Sequence, residues 1–243
     1  MNDPSTRALV TGGSGDIGAA ICRRLARAGL HVVVHAHRNV ERAQALVAEI
    51  KHADGSAEAI AFDVTQSEPT AERLQALLES GPIQVVVSNA GGYGDAPMAG
   101  MNQAQWRHPI DVSLHGFFNV TQPLLLPMMA TRWGRIIAIS SVAGVIGNRG
   151  QTNYAAAKAG LTGAVKSLAL EVATRGITVN AVAPGIIAGH ITTREFAAET
   201  IKRLVPMKRA GSPDEVAALV GFLASEDAAY ITGQVVSING GMA

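Results

Sequence analysis

Cysteine is nearly missing from this sequence: Cys22 is the one thiol in 243 residues. A lone cysteine excludes an internal disulfide and a multi-cysteine metal centre, and it suits a reducing compartment. Set between apolar and basic neighbours in an early helical stretch, it reads as packing. Net charge is also scarce. Lys and Arg number 20 against 19 Asp and Glu, a balance of +1, so neither nucleic acid nor an anionic membrane has an electrostatic reason to be the main partner. Long hydrophobic runs are lacking too. PLLLPMMA at 123–130 is broken by Pro127 and falls well short of the ~20 residues a membrane span needs. The first strand-like run starts at Arg7, so no cleaved leader is expected. These absences leave a soluble, cytoplasmic protein without a resident metal.

What is present is alternation. Apolar, β-branched runs at 7–11, 31–36, 58–62, 84–88, 135–140, 177–183 and 234–238 read as strands. Helical patterns fill the intervals near 17–29, 39–52, 69–80, 102–131, 152–175 and 213–224. The strands, such as HVVV and QVVVS, are apolar throughout, as expected when both faces of a parallel sheet are covered. The order predicts an α/β fold, a Rossmann-type doubly wound parallel seven-stranded sheet with helices on both faces, built as a single domain over 1–243. One stretch, about 185–211, is irregular. Its place after a strand's carboxyl end suits a substrate lid.

The first strand runs into TGGSGDIGAAI, where Gly13, Gly15 and Gly18 form G-x-G-x-x-G between strand and helix. That spacing allows a tight turn, close approach to a pyrophosphate, and amides at a helix N-terminus facing negative charge. An acid ending the second strand would bind a ribose 2′-hydroxyl, but HVVVHAHRN carries none. His37 and Arg38 offer groups for a 2′-phosphate instead, so NADP(H) is the expected dinucleotide. A solvated arginine at a loop start is the plainer account of Arg38. Asp63 and Val64, closing the third strand, are placed to meet adenine. Asn89, Ala90 and Gly91, after the fourth, are small enough for a cofactor to lie against the backbone.

A second constellation is Ser141, Tyr154 and Lys158. Ser141 ends the strand-like RIIAIS. Tyr154 and Lys158 are i and i+4 in an alanine-rich helix, on one face and about 6 Å apart along its axis. Bringing a tyrosine to neutrality takes roughly 4 kcal/mol of bias toward the phenolate. An ammonium about 5 Å away, at an effective dielectric of about 20, supplies roughly 3 kcal/mol. Lys158 is therefore expected to make Tyr154 a usable general acid, with Ser141 holding the carbonyl oxygen that takes the proton. A Y-x-x-x-K also arises by chance in such a helix, so its weight depends on its surroundings.

Taken in order, TGGSGDIG, FDV, SNAG, Ser141, YAAAK and NAVAPG resemble the short-chain dehydrogenase/reductase family over essentially the whole chain. GNRGQTNYAAAKAG, LEVATRGITVNAVAPG, VPMKRAGSPDEVA and the ending NGGM bring it nearest to the 3-oxoacyl-(acyl carrier protein) reductases. The resemblance implies a sheet ordered 3-2-1-4-5-6-7, a homotetramer built on the helices near 102–131 and 152–175, and hydride transfer from NADPH to a β-keto carbon. It implies cofactor contacts at Gly12, Ser14, Gly15, Ile17, Gly18, Tyr154 and Lys158, with Pro184, Gly185 and Ile187 around the nicotinamide. It also implies docking of an acyl carrier protein by Arg132 and Arg175 near the site entrance, with Arg149 a further candidate. Both docking arginines fall near predicted helix C-termini, where a cation is favoured in any case.

Four positions depart from the family pattern. Asp16 replaces a glycine of the nucleotide loop. Ser113 stands where a catalytic asparagine usually helps hold a relay water. Pro109 predicts a kink or late helix start just before it. Gly189 replaces a threonine that contacts cofactor. Two other readings stay open: reduction of a different ketone by the same residues, and a non-catalytic nucleotide-binding subunit.

Overall fold

The computed structural model describes residues 6–189 and 197–243. Its strands are β1 (Arg7–Val10), β2 (His31–Ala36), β3 (Ser56–Ala61), β4 (Val85–Ser88), β5 (Gly134–Ile139), β6 (Ile177–Pro184) and β7 (Val235–Ile238). They form one sheet in the order β3-β2-β1-β4-β5-β6-β7, and every neighbouring pair is parallel. The expected order is the one found.

The absence of strand alternation has a visible cause. Ala8 and Val10 belong to one core cluster and Leu9 to the other; Ile137 and Ile139 face the first, Ile136 and Ala138 the second. Side chains alternate between faces, and both faces are dry. The first cluster is covered by α1 (Asp16–Arg27), α2 (Val40–His52) and a late helix, Pro213–Leu223. The second lies beneath α3 (Ser67–Leu78) and two helices after β4.

The expected helix at 102–131 is three pieces. These are α4 (Gln103–Ile110), a π-helical turn at Asp111–His115, and α5 (Gly116–Thr131). Pro109 explains the break. It has no N–H to give the carbonyl of Gln105 four residues back, and that carbonyl accepts instead from Asn153 Nδ2 at 2.6 Å. Downstream the helix widens, and Gly116 N–H reaches back five residues to Asp111 O. Next come a short α6 (Ala143–Ile146) and α7 (Thr152–Val172). The irregular region holds α8 (Ala198–Leu204) and an isolated bridge between Ile187 and Gly211, and α9 is Pro213–Leu223. The middle of the expected lid, His190 included, lies outside the described residues.

Candidate active site and dinucleotide cleft

All parallel strands end on one edge, and the side chains singled out from sequence gather there. At the β1 end, Gly12 takes φ +62°, a conformation glycine adopts without strain. A Cβ on Gly18 would be driven into the Gly12 carbonyl, so helix and loop meet only because Gly18 has none. Asn89 fastens this turn: its Nδ2 donates to Thr11 O at 2.9 Å and Gly12 O at 3.1 Å. The amides of Asn89 and Ala90 donate to Thr11 Oγ1 at 2.9 and 3.0 Å. The Asn89 side chain thus holds the loop in shape.

A brace that the sequence did not suggest is His35. It is buried on β2, with Nδ1 accepting from Gly12 N–H at 3.0 Å and Nε2 3.0 Å from Phe62 O. These partners fix the tautomer, with the proton on Nε2. Burial pushes its pKa down to about 4. A histidine in an apolar strand gives no sequence signal of what it touches.

Beyond the loop lies a cavity of about 400 Å³ lined by Ser14, His37, Arg38 and Asp63, with Thr65 and His108 opposite. His37 Nε2 stands 3.7 Å from Asp63 Oδ2. Burial works against the Asp63 carboxylate, but hydrogen bonds from Thr65 and the charges of His37 and Arg38 outweigh it, holding its pKa below the usual value. Val64 does not join them. Its side chain is in the core beside Gly116 and its carbonyl accepts from Asn119 Nδ2 at 2.8 Å; a valine between an outward Asp63 and Thr65 turns inward.

Ser141, Tyr154 and Lys158 converge. The amides of Ser140 and Val142 bond to Val182 O and Pro184 O, fixing the exit of β5 against β6. Ser141 Oγ accepts from Ala143 N–H at 3.2 Å, and its side chain lies near enough to the Tyr154 hydroxyl to favour the ionised form. Lys158 Nζ donates to Ile139 O at 2.8 Å and lies 5.6 Å from the Tyr154 ring centroid. Asn153, fully buried, anchors this end of α7: its Nδ2 donates to Gly94 O and Gln105 O, and its Oδ1 accepts from Tyr154 N–H. Gly91 borders the lysine, since a Cβ there would stand 3.8 Å from Nζ. Tyr93, two residues beyond Gly91, stacks on Tyr154 with centroids 5.2 Å apart.

The electrostatics differ from the expectation that Lys158 would lower Tyr154. Burial raises the tyrosine, and Tyr93 adds to that; Ser141 pulls the other way without prevailing. Burial also brings Lys158 down to about 8. Desolvation of both groups outweighs their attraction. Tyr154 is a neutral phenol here, the form that donates a proton.

Ser113 sits in the π turn, buried, with its Oγ having no hydrogen-bond partner among the described residues. The next residue, Leu114, packs against Gly160 of α7, two residues beyond Lys158. At the β6 end, Gly185 lies so close to Asn239 that a Cβ would be 2.8 Å from its Cα. Ile187 has its side chain in the core against Gly211, so what it can offer a nicotinamide is backbone. Arg149 is exposed on the loop between Ser141 and Tyr154.

Arg132 and Arg175 stand apart from all of this. Each ends a helical segment immediately before a strand, β5 or β6, and Arg132 donates to Thr174 O at 3.4 Å. Helices return the chain to the amino-terminal edge of a parallel sheet, so both arginines lie at the opposite edge from Ser141. Within one chain they are not at the entrance of this site.

The fold and site have close relatives. The family model for short chain dehydrogenases matches residues 6–200. The chain is 43% identical over 236 residues to a 3-oxoacyl-[acyl-carrier-protein] reductase FabG of Aggregatibacter actinomycetemcomitans, covering 96% of this chain and 98% of that protein. It is 44% identical to a 3-oxoacyl-[acyl-carrier-protein] reductase of Synechocystis, covering 97% and 96%. It is 45% identical to nodulation protein G of Azospirillum brasilense, covering 97% of each. With the model match running from the nucleotide loop past the Tyr154 helix, and these relatives matched nearly end to end, the chain belongs to the short-chain dehydrogenase family.

Proposed function

We propose that the protein reduces a 3-oxoacyl thioester on an acyl carrier protein to the 3-hydroxyacyl form, using NADPH. The observation that carries this is the convergence of Ser141, Tyr154 and Lys158 at the carboxyl edge of the sheet, beside a glycine loop with the backbone clearance a dinucleotide needs. When bound, the nicotinamide supplies the hydride to the β-carbonyl carbon. Ser141 orients the carbonyl oxygen, and the Tyr154 phenol transfers its proton to that oxygen as negative charge develops. The Lys158 ammonium steadies the phenolate left behind, and Ser113, whose neighbour Leu114 packs on the helix of Lys158, is the residue that would hold a proton-carrying water.

Supporting NADPH over NADH are Arg38 and His37 in the cavity and the lack of any acid at the end of β2. Arg38→Ala is expected to weaken NADPH far more than NADH; equal losses would remove Arg38 from the 2′-phosphate. The carrier-protein partner rests on the names of the relatives. A homotetramer is supported by exposed Phe118 and Leu126 on α5 and Leu170 on α7, apolar side chains that association would cover. A cytoplasmic setting fits the single buried cysteine, and among the described residues no helix is long and apolar enough to cross a membrane.

The test is oxidation of NADPH with a short 3-oxoacyl thioester and then with a carrier-bound one. Turnover of both, with little from NADH, is the expected result. Binding of NADPH without turnover of either would move the assignment to another ketone, or to a subunit that keeps the fold without the chemistry.

A further inference from the structure

Two departures from the family pattern, far apart in sequence, meet in space. Asp16 opens α1 directly after the glycine turn, and Gly189 lies five residues beyond the end of β6. A Cβ built on Gly189 would stand 2.5 Å from Asp16 Oδ2, 3.3 Å from its Cγ and 3.5 Å from its Cβ. As it lies, the carboxylate occupies the space that a Cβ at position 189 would take, so a side chain there has to turn the carboxylate or move the backbone. Its other oxygen faces Arg42 of α2 at 3.7 Å. Gly189 is not among the glycines with positive φ, so its backbone gives no reason for glycine. Asp16 does.

We infer that Asp16 and Gly189 are a matched pair that sets the gap between the nucleotide loop and the segment following β6, and that Asp16 is a positioning residue for the dinucleotide. The inference rests on the nucleotide-cleft reading above. A pyrophosphate held by the glycine turn and the start of α1 would lie next to Asp16, the residue that opens that helix. A side chain at 189 leaves two outcomes: the segment after β6 retreats from α1, or the Asp16 carboxylate turns away toward the bound phosphates. Either weakens the cofactor, the second through like charge. Removing the Asp16 side chain takes away the obstacle, so each substitution changes the consequence of the other.

The experiment is a double-mutant cycle on the full chain, read by NADPH titration through reduced-nicotinamide fluorescence and by the melting temperature of the unliganded proteins. Gly189→Thr is expected to raise the NADPH dissociation constant roughly tenfold, the size of coupling seen between residues in contact. In an Asp16→Gly background the same change is expected to cost less than roughly threefold. Asp16→Asn keeps the volume and removes the charge, so Gly189→Thr should still cost more there than in the Asp16→Gly background; a cost no greater than in Asp16→Gly would overturn a pairing based on volume. Equal costs in all backgrounds, or a harmless Gly189→Thr, would also overturn it. Should Gly189→Thr fail to fold alone, Gly189→Ala adds only the Cβ and follows the same logic. If the parent protein binds no NADPH, the cofactor reading fails by itself, and non-additive melting temperatures still decide the pair.

Discussion

A buried tyrosine and a buried lysine divide the labour at the candidate catalytic centre. Tyr154 lies above its ordinary pKa and Lys158 below, at about 8, both through desolvation. Tyr154→Phe keeps the ring stacked on Tyr93 and removes only the proton donor, so turnover should fall by about 10²–10⁴ with NADPH affinity retained. Unchanged turnover would remove Tyr154 from the chemistry. For Lys158, kcat/KM, which reports the free enzyme, should decline above about pH 8 as the ammonium loses its proton. Stability moves the other way. The folded pKa lies below the unfolded value of 10.5, so the unfolded chain binds more protons between those values and folding gains about 3 kcal/mol as pH rises through them. Cys22 and Tyr154, whose pKa values burial raises, act in the opposite sense above about pH 9, so the melting temperature is followed beside activity to separate lost charge from unfolding. A profile flat through that window would show that the charge on Lys158 is not needed.

Among the elements, the nucleotide loop depends on a neutral imidazole. His35 accepts from Gly12 N–H, and a second proton on Nδ1 would face that donor. Its folded pKa, about 4, lies below the unfolded 6.5, chiefly through burial, with nearby His37 lowering it and Asp63 opposing. The unfolded chain thus takes up its proton first. Stability should fall as pH drops from about 6.5 to 4, by about 3 kcal/mol in total. Denaturant midpoints at the two ends of that range test this, and His35→Gln should lose less than the parent over the same interval. Equal losses would place the acid sensitivity elsewhere. The sequence showed β2 as a buried strand and Gly13, Gly15 and Gly18 as a loop, because hydrophobic runs and glycine spacing are local signals. The brace between them was not legible, since a histidine's partners lie on other strands. Pro109 announced a break, but that Asn153 takes the freed Gln105 carbonyl depends on where α7 comes to rest. That the side chains of Val64 and Ile187 turn into the core was not legible for a related reason: position in a motif does not say which way a side chain turns at the end of a strand.

For the molecule as a whole, the two edges of the sheet set the geometry of carrier docking. The triad sits at the carboxyl edge of the sheet, while Arg132 and Arg175 sit at the amino edge. The six residues of β5 separate the two edges, about 20 Å at the usual rise per residue. In the homotetramer proposed above, an acidic carrier docked on those arginines would be better placed to deliver its thioester to a neighbouring subunit than to the Tyr154 of its own chain. Complementation decides this. Arg175→Glu should slow turnover of a carrier-bound substrate, spare a small thioester, and lose its effect as salt rises, since rim charges act mainly on encounter. Tyr154→Phe should be inactive with both substrates. Co-assembled, the two variants place an intact Arg175 on one chain and an intact Tyr154 on the next. Recovery of carrier-dependent turnover above the sum of the separate proteins is expected if the arginines serve a neighbour. No recovery, with the Arg175→Glu defect still confined to the carrier-bound substrate, would mean that the carrier reaches around one chain. A defect that falls equally on the small thioester would make Arg175 a cap for the end of its own helix and nothing more.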